Sequence, residues 1–165
     1  MSAIRMLRHL CATRAGTRRR FPDDVHARIE SAIRDAEKRS SGEIRFVVET
    51  ALGIGELWAG VTPRERAVQV FAELGVWDTD LRNGVLIYVL AADRDVEIVA
   101  DRGAAGRVSA ADWEHACRLM EQHFRDGRFA EGAVAGVSAV GGLLEREFPA
   151  RGANRDELPN QPALL

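Results

Sequence analysis

A chain of 165 residues, 46% apolar and 29% charged, has the size and composition of one soluble globular domain with a real core. No stretch approaches the roughly 18 consecutive apolar residues that a membrane span requires; the longest apolar run, Val85 to Ala92, is strand-sized. The formal charge of −2 hides an asymmetry: the first twenty residues carry six arginines and no acid, which leaves 17 of the 23 basic residues against 25 acids, about −8 for the body.

Those arginines are Arg5, Arg8, Arg14, Arg18, Arg19 and Arg20, and they define a basic N-terminal arm, residues 1–20. Such an arm suits anionic lipid or an acidic partner, whereas the acidic body argues against a nucleic-acid role. Within it, Ile4, Leu7 and Cys11 fall along one helical face with Leu10 beside them, the pattern of a weak interfacial helix or an Arg-rich leader. As a polar terminus the arm is expected to be flexible. The two cysteines, Cys11 and Cys117, are too few for a disulfide framework and read as free thiols, consistent with a reducing, cytoplasmic setting.

The body begins at Phe21-Pro22-Asp23. Val25, Ile29, Ala32, Ile33 and Ala36 recur at helical spacing until Ser40-Ser41-Gly42. Glu43 to Glu49 then alternates, with Ile44, Phe46 and Val48 on one side, and reads as a half-buried strand. A glycine-bearing loop follows, carrying Leu57-Trp58. Thr62-Pro63-Arg64-Glu65 combines a cap, a proline at the first helical position and a capping-box glutamate, so a helix runs from there to about Leu74.

After the Trp77–Asn83 loop, Gly84 to Ala91 is continuously apolar and is expected to be a central strand covered on both faces. Asp93-Arg94-Asp95 turns the chain into a second strand, Val96 to Asp101, forming a hairpin. Ser109 caps a helix that aligns Trp113, Cys117, Met120 and Phe124 and stops at Asp126-Gly127. A last helix covers about Arg128 to Glu147. Its Gly132 and Gly136 share a face and predict a close approach of helix to sheet. From Pro149 the tail, 149–165, reads as polar and disordered.

Strand, helix and strand, then a hairpin, then two helices predict an α/β fold: a small mixed sheet with helices packed on it. The crossover places the first two strands parallel, and a short further edge strand is compatible with the count. Because the hairpin reverses direction, Asp101 returns to the sheet end where the loop before Gly84 begins, so Asp78, Asp80, Asn83 and Asp101 are expected to cluster there.

The order of Ser41-Gly42-Glu43-Ile44, Asn83-Gly84-Val85-Leu86-Ile87, Asp101-Arg102-Gly103 and Phe124-Arg125-Asp126-Gly127-Arg128-Phe129 resembles the TPM domain family over roughly residues 22–148. The closest likeness is to short soluble bacterial members that begin with a basic Arg-His-Leu segment and lack the anchor. The resemblance implies an α/β/α sandwich, often with calcium near the ends of the central strands. Plant thylakoid members linked to photosystem repair are assigned acid phosphatase activity, while other members are accessory proteins without a settled reaction.

For metal, Asp78, Asp80, Asn83 and Asp101 offer oxygen ligands of the kind calcium takes. The same residues equally suit turn chemistry, bonding their own backbone. Many family members place an acid directly before Asn-Gly, and this chain has Arg82. Arg82 and Arg102, joined by Arg107 if its loop folds inward, offer instead a phosphate or carboxylate site, or a surface ion-pair network.

Recognised catalytic templates fail. Neither cysteine has an arginine six positions on, where Thr17 and His123 stand, and there is no Gly-x-Ser-x-Gly elbow. His115 and Cys117 fall on different helical faces, and the Gly53-x-Gly55 loop lacks the rest of a dinucleotide fingerprint. The expected function is a binding or accessory module working on a protein partner or, through the arm, peripherally at a membrane's inner face. A phosphatase-type hydrolase, with calcium as its candidate cofactor, is the alternative that the resemblance supplies.

Overall fold

The computed structural model describes residues 3–150 and 156–165. Eight helices and four strands follow one another in chain order: α1 (Ala3–Cys11), α2 (Arg14–Arg20), α3 (Asp23–Arg39), β1 (Glu43–Glu49), α4 (Ile54–Trp58), α5 (Pro63–Glu73), β2 (Gly84–Leu90), β3 (Asp95–Ala100), α6 (Arg102–Ala105), α7 (Ala110–Arg125), α8 (Phe129–Glu147) and β4 (Ala163–Leu164). The capping signals act as read. Thr62 Oγ accepts from Glu65 N at 3.2 Å while Glu65 returns a carboxylate to Thr62 N at 2.8 Å, and Ser109 Oγ accepts from Asp112 N at 3.1 Å.

The sheet has the order β3-β2-β1-β4. β1 and β2 are parallel, from Glu43 opposite Gly84 to Glu49 opposite Leu90, and β3 returns antiparallel along β2. Alternation sends even-numbered residues of β1 and odd-numbered residues of β2 to one face, where Phe46 and Ile87 meet α3, α7 and α8. The opposite residues, Val47, Leu86, Tyr88 and Leu90, pack with Leu57, Ala67 and Val70. Helices therefore cover both faces, and every residue of β2 is buried. On the second face the Tyr88 hydroxyl donates to Glu49 Oε2 at 2.6 Å, and Arg66 Nε donates to the same oxygen at 2.9 Å, so this inward polar trio is mutually satisfied.

Three expectations change. Gly132 and Gly136 of α8 serve helix-on-helix packing rather than helix on sheet: a Cβ on Gly136 would lie 2.1 Å from Met120 Sδ of α7. From Ala3 to Arg20 the basic arm folds as α1 and α2, and polar side chains of α1 anchor it to the body, as described below; residues 1 and 2 lie outside the described residues. Of the tail expected to be disordered, residues 151–155 lie outside the described residues, while residues 156–165 fold back along the sheet. There Val47 and Val48 of β1 pair with Ala163 and Leu164 of β4, and Leu158 is buried. The Leu57-Trp58 pair divides: Leu57 is in the core and Trp58 points outward.

Candidate functional site

The loop before β2 and the end of β3 meet as the topology requires. Asp101 N donates to Gly84 O at 2.9 Å and Gly103 N donates to Arg82 O at 2.8 Å. Only a glycine fits at position 103, since a Cβ there would come within 2.5 Å of Arg82 O. Between the two segments lies a cavity of about 410 Å³ lined by Trp77, Asp78, Thr79, Arg82, Asp101 and Arg102.

Not every residue singled out from the sequence reaches it. Asp80 is exposed outside the lining, with its backbone N–H given to Glu157 at 3.0 Å. Asn83 is fully buried; its Nδ2 donates to Ser41 O at 2.7 Å, and its Oδ1 has no partner. Arg107 donates to Glu147 O at 3.0 Å and lies over the Phe148 ring, which commits it to the end of α8.

The donor set fits calcium poorly. Asp101 caps α6 by accepting from Arg102 N at 2.7 Å, and two guanidinium groups share the lining with two carboxylates. Asp78, Asp80 and Asp101 do not bring three carboxylates together, whereas Glu37, Glu43 and Asp156 do, within 4.8 Å of one another. Asp78 and Asp101 offset Arg82 and Arg102, so the cavity is charge-balanced rather than cationic.

The Glu37–Glu43–Asp156 group was missed because Asp156 arrives from the far end of the chain. Burial pushes the Glu37 carboxyl up to about 8 and that of Glu43 up to about 7. Both already serve the backbone: Glu37 accepts from Ile44 N at 3.1 Å, and Glu43 accepts from Glu157 N and Leu158 N at 3.2 Å each. Three carboxylates are the donor type for a hard cation, but in this arrangement Glu43 fastens the returning tail and Glu37 the start of β1. The Cys117 thiol, pushed up to about 12 by burial, is a poor nucleophile at neutral pH.

A second surface is built by α1, which sorts its side chains in reverse. Toward the body it sends Met6 and a polar set. Arg5 Nε pairs with Asp93 at 2.8 Å, and Arg5 Nη1 donates to Val61 O at 3.1 Å. His9 is buried; its Nδ1 accepts from Leu52 N at 3.0 Å, which makes Nε2 the protonated nitrogen, 3.2 Å from Asp93. Toward solvent it sends Ile4, Leu7 and Leu10, which are 71%, 62% and 58% exposed, and Cys11. The segment that receives α1, between Leu52 and Val61, itself exposes Ile54 and Trp58. The signal in the sequence was Arg5 and His9, one turn apart on the face opposite Ile4 and Leu7.

The TPM domain model matches residues 19–143, most of the chain. The chain belongs to the TPM domain family. The structure of BA42 from the psychrophilic bacterium Bizionia argentinensis is similar: 36% identity, TM-score 0.75, covering 86% of this chain and 92% of that one. The N-terminal domain of a P. gingivalis protein (23% identity, TM-score 0.57, 74% and 76% covered) and that of cg2496 from Corynebacterium glutamicum (17%, 0.54, 79% and 77%) share the fold alone. No curated protein matches the chain. In this TPM domain the Phe-Arg-Asp-Gly-Arg-Phe segment is structural: Phe124 and Phe129 stack at 5.4 Å, and Phe21 meets both edge-on.

Proposed function

We propose that this TPM domain is a non-catalytic binding module that sits peripherally on an anionic membrane surface, with the outer face of α1 as its contact. The observation that carries the reading is the reversed sorting of α1. A helix that turns a half-buried arginine and a buried histidine inward while presenting an isoleucine and two leucines to water forgoes hydrophobic stabilisation unless something covers that face. Charge selects the cover. Arg14, Arg18 and Arg19 on α2 are exposed and make no ion pair among the described residues, next to an apolar face and on an otherwise acidic body.

Full burial of a side chain the size of leucine contributes about 1.5–3 kcal/mol, and an arginine near an anionic surface about 1 kcal/mol. Those magnitudes give reversible, salt-sensitive attachment. Among the described residues no helix is long and apolar enough to cross a membrane. The free thiols of Cys11 and Cys117 fit a position on a reducing, cytoplasmic face. A phosphatase role gains less support, because Asp101 is engaged as a helix cap and the acid–arginine cavity is balanced in charge.

Co-sedimentation of the full chain with phosphatidylserine-containing and with neutral phosphatidylcholine vesicles tests the reading. Binding is expected only to the anionic vesicles, and Leu7→Glu should lower it by about ten-fold or more without moving the thermal midpoint, since Leu7 is exposed. Equal binding by wild type and Leu7→Glu would overturn the proposal. So would a shift from dimer to monomer on Leu7→Glu with no vesicle binding by either protein, which would make a second copy the partner.

A further inference from the structure

A cavity of about 480 Å³ lies between the α1–α2 segment and the turn that joins β2 to β3. Three arginines line it, Arg8, Arg20 and Arg94, together with Thr13 and Thr17, and no carboxylate is in the lining. That sets it apart from the cavity beside Asp101, where two acids face two arginines.

The acid that approaches Arg8 is already engaged. Asp93 stands 3.6 Å from Arg8 but holds Arg5 at 2.8 Å and faces His9 at 3.2 Å. One carboxylate thus serves two guanidinium groups and an imidazole, and the cavity keeps a positive excess. The guanidinium of Arg20 lies over the Phe129 ring, 5.6 Å from its centroid, a contact that fixes its plane and leaves the N–H edge to donate. The side chains of Arg20 and Arg94 make no hydrogen bond or ion pair among the described residues.

Arg94 adds an independent sign. Its φ is +55°, a conformation that suits glycine or asparagine and that a side chain with a Cβ rarely adopts. Among the described residues only Arg82 shares it without being glycine. A tight turn that accepts this strain to keep a guanidinium at a cavity mouth points to use of that guanidinium.

We infer that this cavity is a phosphate site: Arg8, Arg20 and Arg94 grip the oxygens of a phosphate monoester, with the Thr13 hydroxyl at its side; the Thr17 hydroxyl is given to Thr13 O at 3.3 Å. Guanidinium forks match phosphate oxygens in pairs, and three of them neutralise a dianion. Cys11 lies both on the outward face of α1 and in the lining, so a phosphate presented by a lipid headgroup would reach the cavity from the docked side. The inference rests on the membrane reading only for that source; a soluble phosphate ester uses the same groups.

The test uses the full chain, with calorimetric titration of inorganic phosphate and glycerol phosphate, and sedimentation with vesicles containing phosphatidic acid or phosphatidylserine at equal surface charge. The variant of choice is Arg94→Gly, because glycine relieves the positive φ and cannot fail to fold on that account. Arg118→Ala, on the exposed side of α7 and paired with Glu114, controls for loss of one charge.

Wild type should bind both soluble phosphates saturably. Arg94→Gly should lose about ten-fold or more in affinity, with Arg118→Ala and Leu7→Glu unchanged. A preference for phosphatidic acid that Arg94→Gly abolishes assigns the phosphate to a headgroup; saturable soluble binding without that preference assigns it to a soluble ester. The inference is overturned if wild type binds neither soluble phosphate, or if Arg94→Gly and Arg118→Ala weaken binding equally. Since Leu7→Glu disables membrane contact alone, failure of one reading is distinguishable from failure of the other.

Discussion

Asp93→Asn is the perturbation that isolates how α1 is held. The substitution keeps the volume and removes the charge that Arg5 meets at 2.8 Å and His9 at 3.2 Å. Breaking a buried ion pair by neutralising one member costs about 3–5 kcal/mol; Arg5 keeps the Val61 carbonyl and some contact with water, so about 2–3 kcal/mol is the appropriate part of that range. The cost falls on docking, because Met6 is the only side chain of α1 that joins a core cluster. A helix of nine residues is well short of the roughly 12–15 needed for stability alone, so α1 unfolds when it detaches.

At 1.4 kcal/mol per factor of ten, amide exchange across residues 5–11 should accelerate about 30- to 150-fold. Peptides from β1 and β2 should exchange as in wild type, and the thermal midpoint should move by only a few degrees. Hydrogen–deuterium exchange read by mass spectrometry resolves these segments. Unchanged exchange over residues 5–11 would refute the claim that the Asp93 knot anchors α1. Loss of protection throughout the sheet would refute the claim that α1 is a local attachment.

Ile87→Ala removes a fully buried side chain from the central strand and should cost about 2–5 kcal/mol in urea denaturation; an unchanged midpoint would contradict its central burial. Glu37→Gln reports on the acid cluster. The native carboxyl is raised to about 8, so the folded state holds a proton that the unfolded chain releases near 4.5. Its contribution to stability is complete below the unfolded value and is lost as pH rises through the native one, by at most about 1.4 kcal/mol per pH unit. The variant should match wild type near pH 4.5 and exceed it above pH 8 in chemical denaturation, and a variant less stable at high pH would reverse the assignment.

What the sequence made legible was local. The Thr62–Glu65 box, the Ser109 cap, the apolar run of β2 and the turn at Asp93–Asp95 each lie within a few residues, and each formed close to where it was read. The meeting of Asp101 with the Asn83–Gly84 step was also legible, because topology alone dictates it. The rest depended on distant partners. Arg5 finds Asp93 across 88 positions and Glu43 finds Leu158 across 115, and neither pairing leaves a periodic trace. Hence α1 looked like a loose arm, and β4 was concealed in a polar tail. Side-chain commitment was equally hidden: nothing in the loop's composition reveals that Arg107 turns to the end of α8 or that Asn83 is buried.

The returning tail has a consequence for handling the protein. Beyond Val47 and Val48, the outer edge of β1 is completed by Leu165, which donates to Val48 O at 2.9 Å and accepts from Thr50 N at 3.2 Å. Trimming the chain at Phe148, which the polar composition of the tail invites, would leave β1 as a bare edge. Unpaired edges of that kind recruit other strands, so the shortened protein would carry a template for aggregation. A tag placed after Leu165 bears on the same edge, and one at the N-terminus bears on α1. A cysteine-directed label at the exposed Cys11 spares the edge but reports from beside the outward, apolar face of α1.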